Sequence, residues 1–228
     1  MREEIQLQDL FDMKTKVHAH RFTNPSPFAY LGKNLTKWLE DLLDTLGVPP
    51  DRPLVHGHVH DGAYLKGRVY VAAGVEVEPT AYVEGPCYLG EGASVRHGAY
   101  VRGSVYAGPA AIIGHATEAK GSIFFDGAKA AHFAYVGDSI LGANVNLGAG
   151  TRLANLKLRA DEVRVRGKRG QAISTGLRKL GALVGDGAQT GCNAVLSPGT
   201  ILFPGTMVLP CHHFHGTLTS GCVGAKPR

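Results

Sequence analysis

The hydrophobic residues of this chain recur every six positions over most of its length. From Val59 to Ala131 each sixth position is hydrophobic, and a second, mostly small residue precedes it by two positions. A helix repeats every 3.6 residues and a strand every two, so a period of six indicates a supersecondary repeat. Six-residue repeats are typical of a parallel β-helix, in which each repeat forms one side of a coil and its hydrophobic residue points inward. The pattern predicts an unbroken phase that includes Phe125 and Ala131, and a return of the repeat over 141–153 and 184–208.

A second pattern, with helical spacing, precedes the repeat. Leucines and Trp38 between Leu31 and Leu46 recur at i, i+4, i+7 and i+8, which predicts an amphipathic helix over 31–46. Gly47 stands where a helix commonly ends, and the prolines that follow prevent its continuation. Because the end of a solenoid must be covered, we expect this helix to pack on the open first coil. Binding to a membrane surface is the alternative.

These two patterns predict the organisation of the chain. Residues 1–52 form an N-terminal segment with the helix, residues 53–216 form the β-helix, and residues 217–228 form a C-terminal tail. The repeat is lost over 156–181, where alternating valines and a turn at Gly167 predict an excursion that contains a strand pair. Long insertions in solenoids often carry function.

Composition and charge narrow the function classes. The 228 residues are 44% hydrophobic, with a formal net charge of +5 and 31 glycines, which suit the turns of a β-helix. No basic motif with interleaved aromatic residues is visible, so we expect no nucleic-acid partner. The first residues are charged and polar, unlike a signal peptide, and no apolar run approaches the ~20 residues of a membrane span. The four cysteines show no disulfide framework, and a cytoplasmic protein is expected.

Three motifs carry a resemblance to a known family. They are A-T-E-A-K at 116–120, K-A-A-H-F-A-Y-V-G-D at 129–138 and N-V-N-L-G-A-G-T at 144–151. With them, the stretch from Ala99 to Pro210 resembles the acetyltransferase domain of the bifunctional enzymes that acetylate glucosamine-1-phosphate and then uridylylate it. The excursion and T-G-L-R-K-L-G-A-L-V-G-D at 175–186 look closer to the archaeal branch.

The resemblance implies a fold, an activity and an assembly. It implies a left-handed parallel β-helix, a homotrimer with active sites between subunits, and acetyl-CoA-dependent N-acetylation of an amino-sugar phosphate or an amino-sugar nucleotide. The first 55 residues contain no glycine-rich loop with an arginine, so uridylyl transfer is not expected from this chain.

N-acetylation requires a general base, because the attacking amine is mostly protonated near pH 7. His132 matches the base of the family, and the pKa of histidine suits that role. Without the resemblance, a histidine that stabilises a turn is the better interpretation.

Fixed positive charge is needed to bind a phosphorylated sugar. Arg102 and Lys120 are 18 residues apart, which is one full coil, so they should lie one above the other on the same face. The resemblance places both on substrate-phosphate or uridine-type contacts. Without the resemblance, two solvated surface charges are the better interpretation. His132, twelve residues beyond Lys120, belongs to a different face, and a neighbouring subunit is expected to bring them together.

The resemblance assigns further contacts. Tyr135 and Asn146 match sugar-binding positions, and Asn155 matches the asparagine near the acetyl group. Arg164 takes the place of a lysine in the excursion and is a further candidate for substrate binding. Cys192 replaces a serine on the acetyl-CoA side, and Leu156 replaces a tyrosine there. Arg178 and Lys179 are candidates for the phosphates of acetyl-CoA by charge alone.

Three other functions remain open. One is a non-catalytic trimer that binds a sugar nucleotide, and another is an acyltransferase with a different acyl donor or amino sugar. The third is a metal enzyme of the γ-carbonic anhydrase type, but the core coils lack its H-x4-H histidine pair. His56, His58 and His60 share a face, and the cluster from Cys211 to His215 has the ligand types of a metal site. No metal is predicted.

Overall fold

A computed structural model describes residues 5–224, and it confirms the predicted left-handed parallel β-helix. Within this range the strands form three parallel sheets, which we name faces A, B and C, and one short antiparallel pair. Each strand of a face pairs with strands of the coils before and after it, so the faces run along the solenoid axis.

The bounds of the strands are as follows. Face A contains β1 (Leu54–Val55), β4 (Val69–Val71), β7 (Cys87–Leu89), β10 (Val105–Ala107), β13 (Ser122–Phe124), β16 (Ile140–Leu141), β21 (Ala182–Val184), β24 (Thr200–Leu202) and β27 (Thr217–Leu218). Face B contains β2 (His58–Val59), β5 (Glu76–Val77), β8 (Ser94–Val95), β11 (Ile112–His115), β14 (Lys129–His132), β17 (Asn146–Leu147), β22 (Gln189–Thr190), β25 (Met207–Val208) and β28 (Cys222–Val223). Face C contains β3 (Tyr64–Lys66), β6 (Tyr82–Glu84), β9 (Tyr100–Arg102), β12 (Glu118–Lys120), β15 (Tyr135–Gly137), β18 (Arg152–Leu153), β23 (Val195–Leu196) and β26 (His213–Phe214).

The core of the solenoid is filled by the six-residue repeat. Val83 and Val101 are fully buried, and so are the small residues Ala81 and Ala99 two positions before them. Each buried valine stabilises the fold by roughly 1.5–3 kcal/mol relative to exposure. The repeat therefore defines the interior, as predicted.

The predicted phase is wrong after β12, because the turn after β12, and again the turn after β15, is one residue shorter than the turn after β9. Cys87 pairs with Val105, 18 positions on, whereas Val105 pairs with Ser122, 17 positions on. The turn after β9 uses Gly103 and Ser104 in left-handed conformations, with φ of 63° and 51°. The turn after β12 uses Gly121 alone, with φ of 55°.

The shorter turn moves the inward positions back by one residue. Phe124 and Ala130 are the residues in the core, not Phe125 and Ala131 as predicted. Phe125 instead joins a second hydrophobic cluster outside face A. The slip was hidden in the sequence because both positions of each pair are hydrophobic.

The N-terminal segment packs along the outside of face A. It contains α1 (Leu7–Leu10), 3-10 turns at Ala19–Arg21 and Pro27–Tyr30, and α2 (Lys33–Thr45). The predicted packing of the helix on the first coil is therefore wrong. The reason is that face A carries large apolar side chains on its outer surface that need cover: Tyr88, Tyr106, Ile123, Ile140, Leu183 and Ile201.

This packing also argues against the membrane-surface alternative. Leu35, Leu39 and Leu42 of α2 are buried in the cluster on face A. The apolar side of the helix is thus already covered by its own chain. Across residues 5–224, no helix has the length and apolar character that crossing a membrane requires.

The excursion forms the predicted strand pair. β19 (Arg164–Arg166) pairs with β20 (Ala172–Ser174) in antiparallel fashion, and the amide of Gly167 donates to the carbonyl of Gln171 in the turn. The β-helix also continues past the predicted end at residue 216, since β27 and β28 extend faces A and B. The last residues of the predicted tail, 225–228, lie outside the described residues.

Candidate functional site

The outward side chains of face C form two columns, one at each end of its strands. On β9 the inward Val101 fills the core, while Tyr100 and Arg102 on either side of it point outward. The first column contains Tyr64, Tyr82, Tyr100, Glu118, Tyr135, Arg152, Val195 and His213. The second column begins with Lys66, Glu84, Arg102 and Lys120.

Arg102 and Lys120 directly follow Val101 and Ala119, which are register partners on adjacent strands, so they are neighbours in the second column. Adjacent strands place them one above the other at a backbone separation of about 4.8 Å. Each cation is bound to a carboxylate: Arg102 Nη1 lies 2.7 Å from Glu118 Oε1, and Lys120 Nζ lies 3.1 Å from Asp138 Oδ2. The arrangement fixes two positive groups with compensating negative ones.

Asp138, Asn155 and Tyr135 continue this network. Asn155 Nδ2 donates to Asp138 Oδ2, and the Tyr135 hydroxyl donates to Asn155 Oδ1 at 3.3 Å. Burial raises the pKa of Tyr135, and the nearby charges of Glu118 and Asp138 raise this pKa further, so the phenol stays protonated. We name this connected group the polar cluster: Arg102, Glu118, Lys120, Tyr135, Asp138 and Asn155.

The backbone around Gly137 lets these side chains meet. A Cβ at Gly137 would lie 2.7 Å from the Tyr135 hydroxyl oxygen and 2.8 Å from Asn155 Nδ2. Any other residue would therefore push the two side chains apart. The glycine explains why the network forms at the end of β15.

His132 does not join the polar cluster within one chain. It ends β14 on face B, is exposed, and lies in register with His115 at the corner that leads to face C. Gly137, the register partner of Lys120, lies at the opposite end of the face C strand. Among residues 5–224, no hydrogen bond or ion pair links the imidazole of His132 to the polar cluster.

The other predicted residues occupy three different places. Asn146 lies on face B, exposed and in register with Lys129. Arg164 lies exposed on β19 of the excursion. Cys192 is an exposed free thiol at a corner.

Arg178 and Lys179 lie at the end of the excursion and are exposed. The backbone of Lys179 forms an isolated antiparallel β-bridge with that of Leu156. The amide of Leu180 donates to the carbonyl of Asn155 at 2.9 Å. The excursion therefore leaves and rejoins the solenoid beside Asn155. Lys179 directly precedes Leu180, which is bonded to Asn155 of the polar cluster, whereas Arg164 lies further back in the excursion.

A cavity of about 520 Å³ opens beside Asn155. Its wall is mostly apolar, and its size falls in the range of small-molecule sites. The lining residues are Ala154, Leu156, Lys157, Leu158, Arg159, Asp161, Ser197, Pro198 and His215. The side chain of Leu158 is fully exposed at this cavity.

Metal ligation finds no support in the described part of the chain. Between residues 5 and 224, no group of three or more histidine, cysteine or acidic side chains is arranged to hold a metal ion. The rings of His58 and His60 lie 4.2 Å apart but have no third ligand in this range.

Glu118 and Asp138 were given no role by the sequence analysis, although both lie in the motifs that carry the resemblance. The signal that could have found Asp138 is its spacing of 18 residues from Lys120, the same one-coil spacing that pairs Arg102 with Lys120.

Comparison with known proteins confirms the resemblance. Residues 83–170 match the family described as the GMPPB C-terminal domain, and this range contains the whole polar cluster. A bifunctional sugar-1-phosphate nucleotidylyltransferase/acetyltransferase of Sulfurisphaera tokodaii is 44% identical over 85 residues, which are 37% of this chain and 21% of that protein. The bifunctional protein GlmU of Methanococcus maripaludis is 44% identical over 75 residues, 33% of this chain and 18% of that protein.

The match spans about a fifth of the length of these curated relatives. Among solved structures, a hexapeptide transferase family protein from Anaplasma phagocytophilum aligns over 72% of this chain and 74% of that chain. The TM-score is 0.37 and the sequence identity is 15%.

Proposed function

We propose that this chain transfers the acetyl group of acetyl-CoA to the amine of an amino-sugar phosphate or an amino-sugar nucleotide. The observation that carries the proposal is the polar cluster, which lies within residues 83–170 that match the GMPPB C-terminal domain. The chain is also similar over 85 residues to a bifunctional sugar-1-phosphate nucleotidylyltransferase/acetyltransferase. The two stacked cations, the tyrosine and the asparagine of the polar cluster suit a phosphorylated sugar.

The acceptor would bind on face C. Arg102 and Lys120 would hold the phosphate, and Tyr135 would contact the sugar. The Arg102 guanidinium has five N–H donors and uses Nη1 on Glu118, so donors remain for a phosphate. Lys120 likewise has three donors, and its bonds to Asp138 fix its direction.

The acyl donor would occupy the cavity beside Asn155. The apolar wall suits the arm that carries the thioester, and Lys157 and Arg159 in the lining supply positive charge for phosphates. Arg178, Lys179 and Cys192 are further candidates on the donor side. Asn155 would contact the acetyl carbonyl from the edge of the cavity.

The base would come from a second copy of the chain. His132 and Asn146 belong to face B and Arg164 to the excursion, so one chain does not bring them onto the polar cluster. A homotrimer in which face C of one subunit meets the face B edge of another would complete the site. The ammonium would lose one proton to solvent, and His132 would take a second proton as the amine adds to the thioester carbon. The C–S bond would then break, and the imidazolium would pass its proton to the departing thiolate of CoA.

The test is thiol release from acetyl-CoA with a panel of acceptors. The panel contains glucosamine-1-phosphate, galactosamine-1-phosphate, glucosamine-6-phosphate and an amino-sugar nucleotide. His132→Ala should lower kcat by about 10²–10⁴-fold with little change in KM, because a general base acts in the transition state. His115→Ala is the matched control, since it removes the neighbouring histidine of the same corner.

Two outcomes would contradict the proposal. Wild-type turnover in His132→Ala would show that His132 is not the general base. Absence of thiol release with every acceptor of the panel, from intact protein, would contradict the proposed transferase activity. Binding of the sugar nucleotide without thiol release would favour the second candidate, a non-catalytic sugar-nucleotide-binding assembly. The separation of His132 from the polar cluster is the observation that keeps this candidate open.

A further inference from the structure

We infer that Asp138 is a positioning residue of the acyl-transfer site, which sets the direction of the Asn155 amide and the location of the Lys120 ammonium. The inference rests on the proposed function, and it adds a residue to which the sequence analysis assigned no role.

The carboxylate of Asp138 is shared between the acceptor side and the donor side of the site. Lys120 Nζ donates to both of its oxygens, at 3.3 and 3.1 Å, and Asn155 Nδ2 donates to Oδ2. The side chain of Asp138 is only 9% exposed. A carboxylate with so little access to water requires such partners. Asp138 therefore fixes the positions of Lys120 and Asn155, and they in turn stabilise its charge.

The donor and acceptor roles in these hydrogen bonds fix the orientation of the Asn155 amide. An asparagine amide has an oxygen that accepts and a nitrogen that donates, and the two ends have nearly the same shape. An ionised carboxylate only accepts, so Asp138 selects the nitrogen end of Asn155. The oxygen end then faces the Tyr135 hydroxyl, whose raised pKa keeps it a donor.

This orientation leaves one N–H of the Asn155 amide without a partner among residues 5–224. Asn155 stands between Ala154 and Leu156, which line the cavity. A fixed N–H donor is the kind of group that stabilises negative charge on an acyl oxygen when an amine attacks. With the amide reversed, a carbonyl oxygen would face that charge. Asp138 thus determines whether Asn155 helps or opposes the reaction.

The backbone holds Asp138 rigidly enough for this role. Its amide donates to the carbonyl of Lys120 at 2.9 Å, and its carbonyl accepts from the amide of Gly181 at 2.8 Å, where the excursion rejoins the solenoid. Its φ of 47° lies in the left-handed region, which aspartate and asparagine tolerate better than most residues. Asparagine is therefore a conservative replacement for the backbone as well as for side-chain shape.

The first variant is Asp138→Asn. It retains size and backbone preference but removes the charge that holds Lys120. It also replaces one of the two acceptor oxygens by a donor, so position 138 no longer selects the nitrogen end of the Asn155 amide. We expect kcat/KM to fall about 10–100-fold, as for other residues that orient a functional side chain, with a higher KM for the sugar phosphate and a lower kcat. Asp186→Asn is the matched control, because Asp186 also pairs with a lysine but lies beside the N-terminal segment. It should lower the melting temperature and leave KM unchanged.

The second variant exchanges the two groups, Asp138→Asn with Asn155→Asp. The exchange retains a hydrogen bond between the two positions and their combined volume, so a merely structural pairing would be restored. A positioning role would not be restored, because position 155 would then present an acceptor to the acyl oxygen and Lys120 would lose its partner. If Asp138→Asn alone fails to fold, the exchange variant provides the test.

The experiment measures kcat and KM by thiol release, and the melting temperature, for the wild type and each variant. We expect low kcat/KM in both Asp138 variants, with the exchange variant near the wild type in melting temperature. Activity near the wild type in Asp138→Asn or in the exchange variant would overturn the inference while leaving the proposed function intact. Absence of turnover in the wild type would overturn both.

Discussion

Mixing two inactive variants tests whether His132 and Lys120 act on one substrate from different chains. His132→Ala removes the proposed base, and Lys120→Met removes the ammonium while retaining an apolar side chain of similar length. The structure separates the two residues within one chain, since His132 ends a strand of face B and Lys120 lies in the second column of face C. Because each variant lacks one group that the proposed reaction needs, each should be nearly inactive alone.

The expected recovery follows from the symmetry of a closed ring. In the proposed homotrimer each site takes His132 from one subunit and Lys120 from its neighbour. A site would then be intact only when a Lys120→Met chain supplies the histidine and a His132→Ala chain supplies the lysine. With equal amounts and random exchange, about one quarter of the sites are intact, so the rate should return to about one quarter of the wild-type rate. At other ratios the rate should follow the product of the two fractions.

The assay is thiol release after the two variants are unfolded together, refolded and scanned over mixing ratios. The same variants mixed without unfolding are the control, because their subunits have not exchanged. A refolded mixture whose rate is only the weighted average of the two variants at every ratio would refute the reasoning. That result would mean that both residues serve the same site from one chain.

Two further predictions concern the N-terminal segment and its contact with the solenoid. Lys16→Met should lower the free energy of unfolding by about 1–3 kcal/mol, because the side chain of Lys16 is 1% exposed and its loss leaves the partly buried Asp186 without its cation. Lys66→Met removes an exposed pair and should change the free energy of unfolding far less than Lys16→Met does, so equal losses in denaturant unfolding would contradict the argument. Burial raises the pKa of Asp126, so its contribution to stability is present below the ordinary aspartate pKa and is lost as pH rises through the raised value. Asp126→Asn should therefore be more stable than the wild type at pH 7, with a difference that shrinks toward about pH 4; a difference that grows on acidification would contradict this sign.

The solenoid was predictable because its core repeats a single side-chain requirement in every coil. Its register was less predictable, because the turn after β12 lacks one residue and the hydrophobic neighbours Phe124 and Phe125 both fit the six-residue pattern. Hydrophobicity alone does not distinguish a residue inside the prism from one that packs against its outer surface. Turn residues such as Gly121 set the register instead.

The place of the N-terminal helix was predicted wrongly for a related reason. Strands β7, β10 and β13 each carry an apolar residue between two inward ones, namely Tyr88, Tyr106 and Ile123. Faces B and C place polar or exposed residues at many of their outward positions. This run of outward apolar residues was the signal that face A would be covered, and it outweighs the general need to cap the first coil.

The composition of the polar cluster follows from the geometry of stacked coils. Residues 18 or 17 positions apart become neighbours, so Lys120 meets Asp138, and Asp138 meets Asn155 one coil later. The one-residue-shorter coils that displaced Phe125 from the core also set the spacing of 17 between Glu118 and Tyr135. Stacked coils bring together residues that follow one another along the solenoid axis on one face. They do not bring together residues that lie on different faces. Under the proposed function His132, which lies around the corner, would reach the cluster from another copy of the chain, and the mixing experiment measures this requirement directly.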